Sequence, residues 1–212
     1  MCITTLSVCS TYCNAIMALL QNGLRMPTQA LLRILFEVNA KVLWCLVERT
    51  TDHSESTVEE RIYRWAKASL KENIKLRRDH LNIVPIEKRT KLEQSIKDSE
   101  EMLEQLECDP MPDTFYKLTK ELGDVWQKEF YPRLYRRFND AVHLDFASLC
   151  NKAKDDGATV SVTNDSNESI EELAQYCVVN MHTVLIAVRG HYGWDSEEMN
   201  KEFKAVNQID KA

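Results

Sequence analysis

The sequence predicts an all-α protein, a single helical bundle of six to eight helices with a charged helical arm, and three observations carry that expectation. Glycine and proline number only five each in 212 residues, while leucine, lysine and glutamate are abundant. Residues 27–49, PTQALLRILFEVNAKVLWCLVER, are apolar nearly all round, with one narrow charged stripe. Capping and helix-breaking residues then punctuate the rest of the chain at helical lengths.

The first helix is expected over 3–22, where Leu6, Cys9, Cys13, Ile16, Met17 and Leu20 recur at helical spacing. Gly23 follows where a left-handed cap belongs. Pro27 suits the first turn of the second helix, 27–49. At about 100° per residue, Arg33, Glu37, Lys41 and Glu48 share one sector of that helix, and apolar side chains fill most of the remainder. Such a helix belongs at the centre of a bundle, with Leu31, Leu35, Val38, Val42 and Leu46 buried. Its charges must then be paired or face a pocket or partner, because an unpaired buried ion is costly.

A third helix is expected to run to about His80, opened by a capping box of Ser56 with Glu59 or Thr57 with Glu60. Pro85 opens a fourth, and 85–107 reads as a charged arm or bundle edge with a thin stripe of Leu92, Ile96, Leu103 and Leu106. CDPMPD breaks the pattern, a short helix over 113–122 ends at Gly123, and Asp124 can cap the next turn. Pro132 permits a further helix to about Cys150. Residues 151–168 are polar and turn-rich, and read as a mobile surface loop. A strongly apolar helix over 169–189 and a short one after Asp195 complete a single domain over 1–212.

Composition limits the function. A net charge of −6 gives no global pull toward nucleic acid or anionic membrane, although a local basic patch is compatible with it. The seven cysteines form no CxxC pair, and Cys9 and Cys13, four apart, have no matching cysteine or histidine pair to complete a zinc set. No metal and no cofactor is expected. The thiols read as reduced core residues of a cytoplasmic protein. No uninterrupted run of about 18 apolar residues suggests a membrane span. Signal-peptide features, a phosphate loop, a Ser-His-Asp order and an HExxH helix are all missing from the sequence.

Two segments can carry chemistry. Arg33 and Glu37, at i and i+4, form either a structural ion pair or one wall of a ligand pocket. In YPRLYRRFNDAVHLDFASL, residues 131–149, Leu134, Phe138, Ala141, Val142 and Leu149 make one α-helical face, and Arg136, Asn139 and His143 cluster opposite. Arg136 and His143, two turns and about 10 Å apart, flank the same azimuth, whereas Arg137 points away. Imidazole exchanges protons near neutral pH, and a guanidinium grips phosphate through two donors. Tyr135 borders the apolar face and reads as core with its hydroxyl bonded. His182 reads as a satisfied core histidine. His191, in RGHYGW, belongs either to an aromatic cap of the bundle's end or to a recognition corner.

The order ALLRILFEVNAKVLWCL, then a charged middle, then FYKLTKELGDVWQKEFYPRLYRRFNDAVHLDFASL, resembles an uncharacterised bacterial family of all-helical domains of unknown function. Its early Arg-x-x-x-Glu element corresponds to Arg33 and Glu37, and its late tyrosine and Val-His elements to Tyr135 and to Val142 with His143. The resemblance covers roughly residues 10–150. Leu144 follows the histidine where members often carry proline. The spacings Arg136-x6-His143 and Arg137-x5-His143 are also similar to the arginine–histidine signature of HEPN-type helical ribonucleases. That resemblance implies a homodimer whose interface cleft cleaves RNA without a metal, with histidine assisting the 2′-hydroxyl and arginine holding phosphate, in defence or as a toxin. The expected catalytic pair is therefore His143 and Arg136, and Arg33, Glu37, Tyr135 and Asn139 are the expected binding residues. The alternative is a noncatalytic module that binds a protein or small ligand through the Arg33/Glu37 stripe.

Overall fold

A computed structural model of the chain describes residues 2–47, 57–136, 138, 153–155, 160–162, 168–195, 197–198 and 200–201. The class is all-α. In order come α1 (Cys2–Gln21), α2 (Arg25–Leu46), α3 (Val58–Leu81), α4 (Ile86–Glu104), α5 (Phe115–Leu122), a π-helix (Trp126–Arg136), strands β1 (Ala153–Asp155) and β2 (Val160–Val162), and α6 (Ile170–His191). The described residues fall into two compact units, Met1–Leu46 with Thr119–Ala212, and Val47–Leu118.

In the first unit α1, α2 and α6 pack mutually, and the π-helix lies against α2. The turn between α1 and α2 is set by Gly23, whose φ of 70° is left-handed. Its N–H donates to Leu20 O, and Leu24 N–H donates to Leu19 O. That paired arrangement satisfies the last carbonyls of α1 and needs a residue without Cβ at its corner. Gly193, at φ 66°, repeats the device after α6, where Trp194 N–H reaches Arg189 O. Ser169 and Glu172 form a reciprocal capping box that starts α6.

α2 is the central element, and Leu35, Val42 and Leu46 are buried along it, together with Leu32, Phe36, Ala40, Leu43, Trp44 and Cys45. Leu31 and Val38, expected in the core, are only half-buried. The buried arc is centred instead on Leu32, Phe36, Asn39 and Leu43, because α2 takes neighbours on several sides and the line of Leu31 and Val38 falls at its margin. Asn39 Nδ2 donates to Asn180 Oδ1 of α6 at 3.0 Å, and Gln29 donates to Glu168. Trp44 Nε1 donates to Glu121 Oε2 at 2.7 Å. Each bond offsets the cost of burying a polar atom and fixes helix register.

α1 has a mean hydropathy of 1.5 over its apolar window and is long enough to cross a membrane by length and composition. Its apolar residues are interrupted by Thr, Ser and Asn but by no charge, which keeps the mean high where no unbroken run exists. In the fold its Cys9, Ile16 and Leu20 are buried in the three-helix bundle.

The second unit contains the α3–α4 hairpin. Thr57 and Glu60 close the capping box that opens α3, and Pro85 is the N-cap of α4. The charged arm is therefore paired along its length with α3. Arg77 Nη1 donates to Ser95 O at 3.1 Å, to Ser95 Oγ at 2.9 Å and to Ser99 Oγ at 2.9 Å, while Lys67 donates to Leu106 O. These polar bonds hold a hairpin whose apolar seam, around Ile74 and Ile96, is thin.

Within 151–168, read from sequence as a loop, β1 and β2 form a short antiparallel pair with Ala153 opposite Val162.

Candidate functional site

The site is built where the π-helix meets α2. The π-helix spans eleven residues, WQKEFYPRLYR, with Pro132 inside it. Proline has no N–H to donate and its ring obstructs the α-helical ladder, so a wider i→i+5 turn accommodates it where an α-turn would break. The sequence had placed a new helix start at Pro132. The structure instead runs one helical element through it.

The wider turn brings residues four and five apart to a common side. Trp126 and Phe130 thereby meet Phe36 of α2. The Phe36 and Trp126 rings stack at 5.0 Å between centroids, Trp126 and Phe130 lie at 5.2 Å, and Phe36 and Phe130 at 6.1 Å. Tyr131 stacks on Tyr135 at 5.4 Å. Leu134 is buried beside them. Aromatic pairs of this geometry add about 0.5–1.5 kcal/mol beyond their burial, enough to fix the π-helix on α2.

Tyr135 then arrives at the α2 stripe. Arg33 Nη2 donates to the Tyr135 hydroxyl at 2.8 Å and lies 3.4 Å from Glu37 Oε1. The guanidinium carbon sits 4.6 Å from the Tyr135 ring centroid. Arg33 thus joins both partners, and the Glu37 carboxylate acts electrostatically on the Tyr135 phenol, so the three side chains form one triangle. Burial pushes the Tyr135 phenol above its ordinary range, Arg33's hydrogen bond opposes that, and the Glu37 carboxylate adds to it. At neutral pH the hydroxyl therefore keeps its proton.

The Arg33 side chain is only 12% exposed, and that of Glu37 is 29% exposed. Arg33 Nε is buried and has no hydrogen-bond partner among the described residues. Leaving such a donor unmet costs about 1–3 kcal/mol, which a purely structural pair would be expected to avoid. The triangle thus has an outward acceptor in Glu37, a half-buried aromatic pair in Tyr131 and Tyr135, and a cation with capacity to spare.

Three of the four expected binding residues, Arg33, Glu37 and Tyr135, are brought together. Asn139, His143, Arg137 and the stripe's Glu48 lie outside the described residues. Arg136 is exposed on the last turn of the π-helix, one position from Tyr135. The sequence reading missed Trp126 and Phe130 as the anchors that deliver Tyr135. Their signal is the spacing of Trp126, Phe130 and Tyr135, four and then five residues, which an α-helical projection scatters and a π-helix collects. His182 is half-buried, with burial holding its imidazole below the usual range. His191, Tyr192 and Trp194 form an exposed aromatic corner, with Tyr192 stacked on Trp194 at 4.9 Å. Among the described residues no group of three or more His, Cys, Asp or Glu is placed to hold a metal ion.

Compared with known proteins, residues 1–160 match the model of a family of unknown function, DUF5677, a span that holds both α2 and the π-helix. No curated protein and no solved structure matches the chain.

Proposed function

The chain belongs to this family of unknown function, and on that premise we propose that it is a helical binding module whose Arg33–Glu37–Tyr135 triangle takes a planar polar ligand. The carrying observation is the largely buried Arg33 cation, held over the Tyr135 ring with its Nε donor unmet among the described residues. A ligand that presents a donor to Glu37, an acceptor to Arg33 and a flat face to the tyrosines fits this chemistry. Nucleobases and nucleotides have those features, and so do planar amides of a peptide partner.

The test is thermal stabilisation of the purified chain across nucleotides and short peptides. A ligand at 100 times its Kd stabilises by about 2.7 kcal/mol, readily seen as a rise in Tm. The rise is expected to vanish in Arg33→Lys, which keeps the charge but loses the planar fork, and to weaken in Tyr135→Phe. A full panel without any shift, or a shift indifferent to both substitutions, overturns the reading.

A second reading is favoured by the exposure of Arg136 beside Tyr135. Here the protein is a cytoplasmic, metal-independent endoribonuclease of HEPN type, acting in defence or as a toxin from a homodimer cleft. His143 takes the proton of the RNA 2′-hydroxyl and Arg136 holds the scissile phosphate. Cleavage is then expected in the presence of a chelator, with cyclic phosphate ends, and His143→Ala is expected to lose about 10²–10⁴-fold in rate. Undiminished cleavage by His143→Ala, or none by the wild type, leaves the binding module alone.

A further inference from the structure

The second unit has a concavity of its own, an open cavity of about 310 Å³ on the α3–α4 hairpin. Its apolar lining is Ile74 of α3, buried at 5% exposure, and half-buried Leu103 of α4. Around them stand Lys71, Lys75 and Arg78, at i, i+4 and i+7 on one face of α3, with the carboxylates of Asp79 and Glu100. We propose that this cavity binds a small amphiphilic anion, a carboxylate or phosphate head on an apolar body, with Lys71 and Lys75 holding the head and Ile74 and Leu103 the body.

Charge assigns the head. The cations of α3 on either side are already engaged: Arg64 donates to Asp109 O, Lys67 to Leu106 O and Arg77 to Ser95 and Ser99, while Arg78 pairs with Glu100. Lys71 and Lys75 are exposed and make no hydrogen bond or ion pair among the described residues. Like charges one turn apart destabilise a helix, and an anion shared between them reverses that effect. Four residues of helix separate the two by about 6 Å along the axis, a gap that two flexible four-carbon stems close easily. The Arg78–Glu100 pair is internally neutral, and Asp79, one turn past Lys75, repels an anion from that end. The head is thereby directed to Lys71 and Lys75.

Volume and lining assign the body. At about 30 Å³ for each water-sized group, the cavity takes roughly ten non-hydrogen atoms, the size of an eight-carbon carboxylate. Ligand sites of this kind are mostly apolar with a few placed polar groups. The methylene stems of Lys71 and Lys75 extend the apolar lining that Ile74 and Leu103 begin, and leave their ammonium groups at the rim. A bare inorganic anion would leave that lining uncovered, and a neutral hydrocarbon would leave both ammonium groups unmatched.

The test follows amide chemical shifts of the full chain during titration with octanoate and, separately, with octyl phosphate. Acetate and octanol serve as the head alone and the body alone. At least one of the two amphiphilic anions is expected to saturate the shifts around Lys71, Ile74 and Leu103, with a Kd on the order of 1 mM for a ligand of this size. The tighter of the two identifies the head group. Lys71→Met with Lys75→Met removes both charges, keeps the stems and alters only exposed positions, so the fold is retained while binding is expected to weaken about tenfold. Octanol binding as tightly as the anions, the double variant binding like the wild type, or saturation by neither anion overturns the proposal.

Discussion

Tyr135 shows how one hydroxyl joins two distant parts of the chain. It accepts from Arg33, 102 positions earlier, and its ring carries the same guanidinium on its face. Tyr135→Phe keeps the ring and its stacking on Tyr131 but removes the bond to the cation. A charge-assisted hydrogen bond contributes about 1.5–3 kcal/mol, and partial exposure reduces that, so a loss of about 1–2 kcal/mol is expected in urea unfolding. A change below about 0.5 kcal/mol would place the triangle among solvated surface pairs. Titration gives a second outcome at this scale. Cys9 is raised from 9.0 to about 11, so the folded state holds a proton there that the unfolded chain releases. Its contribution is intact below pH 9 and falls away as pH rises toward 11, by at most about 2–3 kcal/mol. His182 is lowered from 6.5, so the folded state resists a proton that the unfolded chain accepts. That contribution is intact above pH 6.5 and is lost as pH falls. Urea midpoints across pH 5–11 are therefore expected to form a plateau with both edges falling, and Cys9→Ala is expected to flatten the alkaline edge.

At the scale of elements, α2 is the decisive helix. Leu35 is fully buried at its centre, and Leu35→Ala is expected to cost about 2–5 kcal/mol in equilibrium unfolding, because packed neighbours on α1 and α6 limit collapse into the gap. A cost typical of surface changes would mean that α2 is not the core. Most of this element was legible from sequence: an apolar surround forces burial, and the stripe of Arg33 and Glu37 had to find a partner. Gly23, Thr57 with Glu60, and Gly123 were legible for similar local reasons, since each cap is a property of a few adjacent residues. The π-helix was not. Its register comes from Pro132 together with Trp126 and Phe130 seating on Phe36, a tertiary contact that overrides the α-helical period. The expected alignment of Arg136 with His143 rested on that period, and the described half of the segment does not follow it.

For the whole molecule, the proposed homodimer is tested by mass. α1 leaves Ile3, Val8 and Met17 exposed, and α6 leaves Val178, Val179 and Ile186 exposed, an apolar share that supports these two helices as the contact elements. Light scattering at tens of micromolar protein is expected to give twice the 24.6 kDa of the chain. A monomer mass removes the dimer cleft, and with it the ribonuclease reading, while leaving the triangle's ligand site standing.

The bond between Asn39 and Asn180 has a consequence in time. Its partners are 141 positions apart, so α1 and α2 are synthesised long before the helix that completes their bundle. At ~5–20 residues per second, roughly 7–28 s pass between the two asparagines leaving the ribosome's catalytic centre. Throughout that interval the apolar faces that α1 and α2 turn toward α6 must remain uncovered or be shielded by a chaperone, and α6 acts as the closing piece. Ribosome-bound chains halted before Ile170 are accordingly expected to be protease-sensitive in α1 and α2, and chains extended past Tyr192 to be protected.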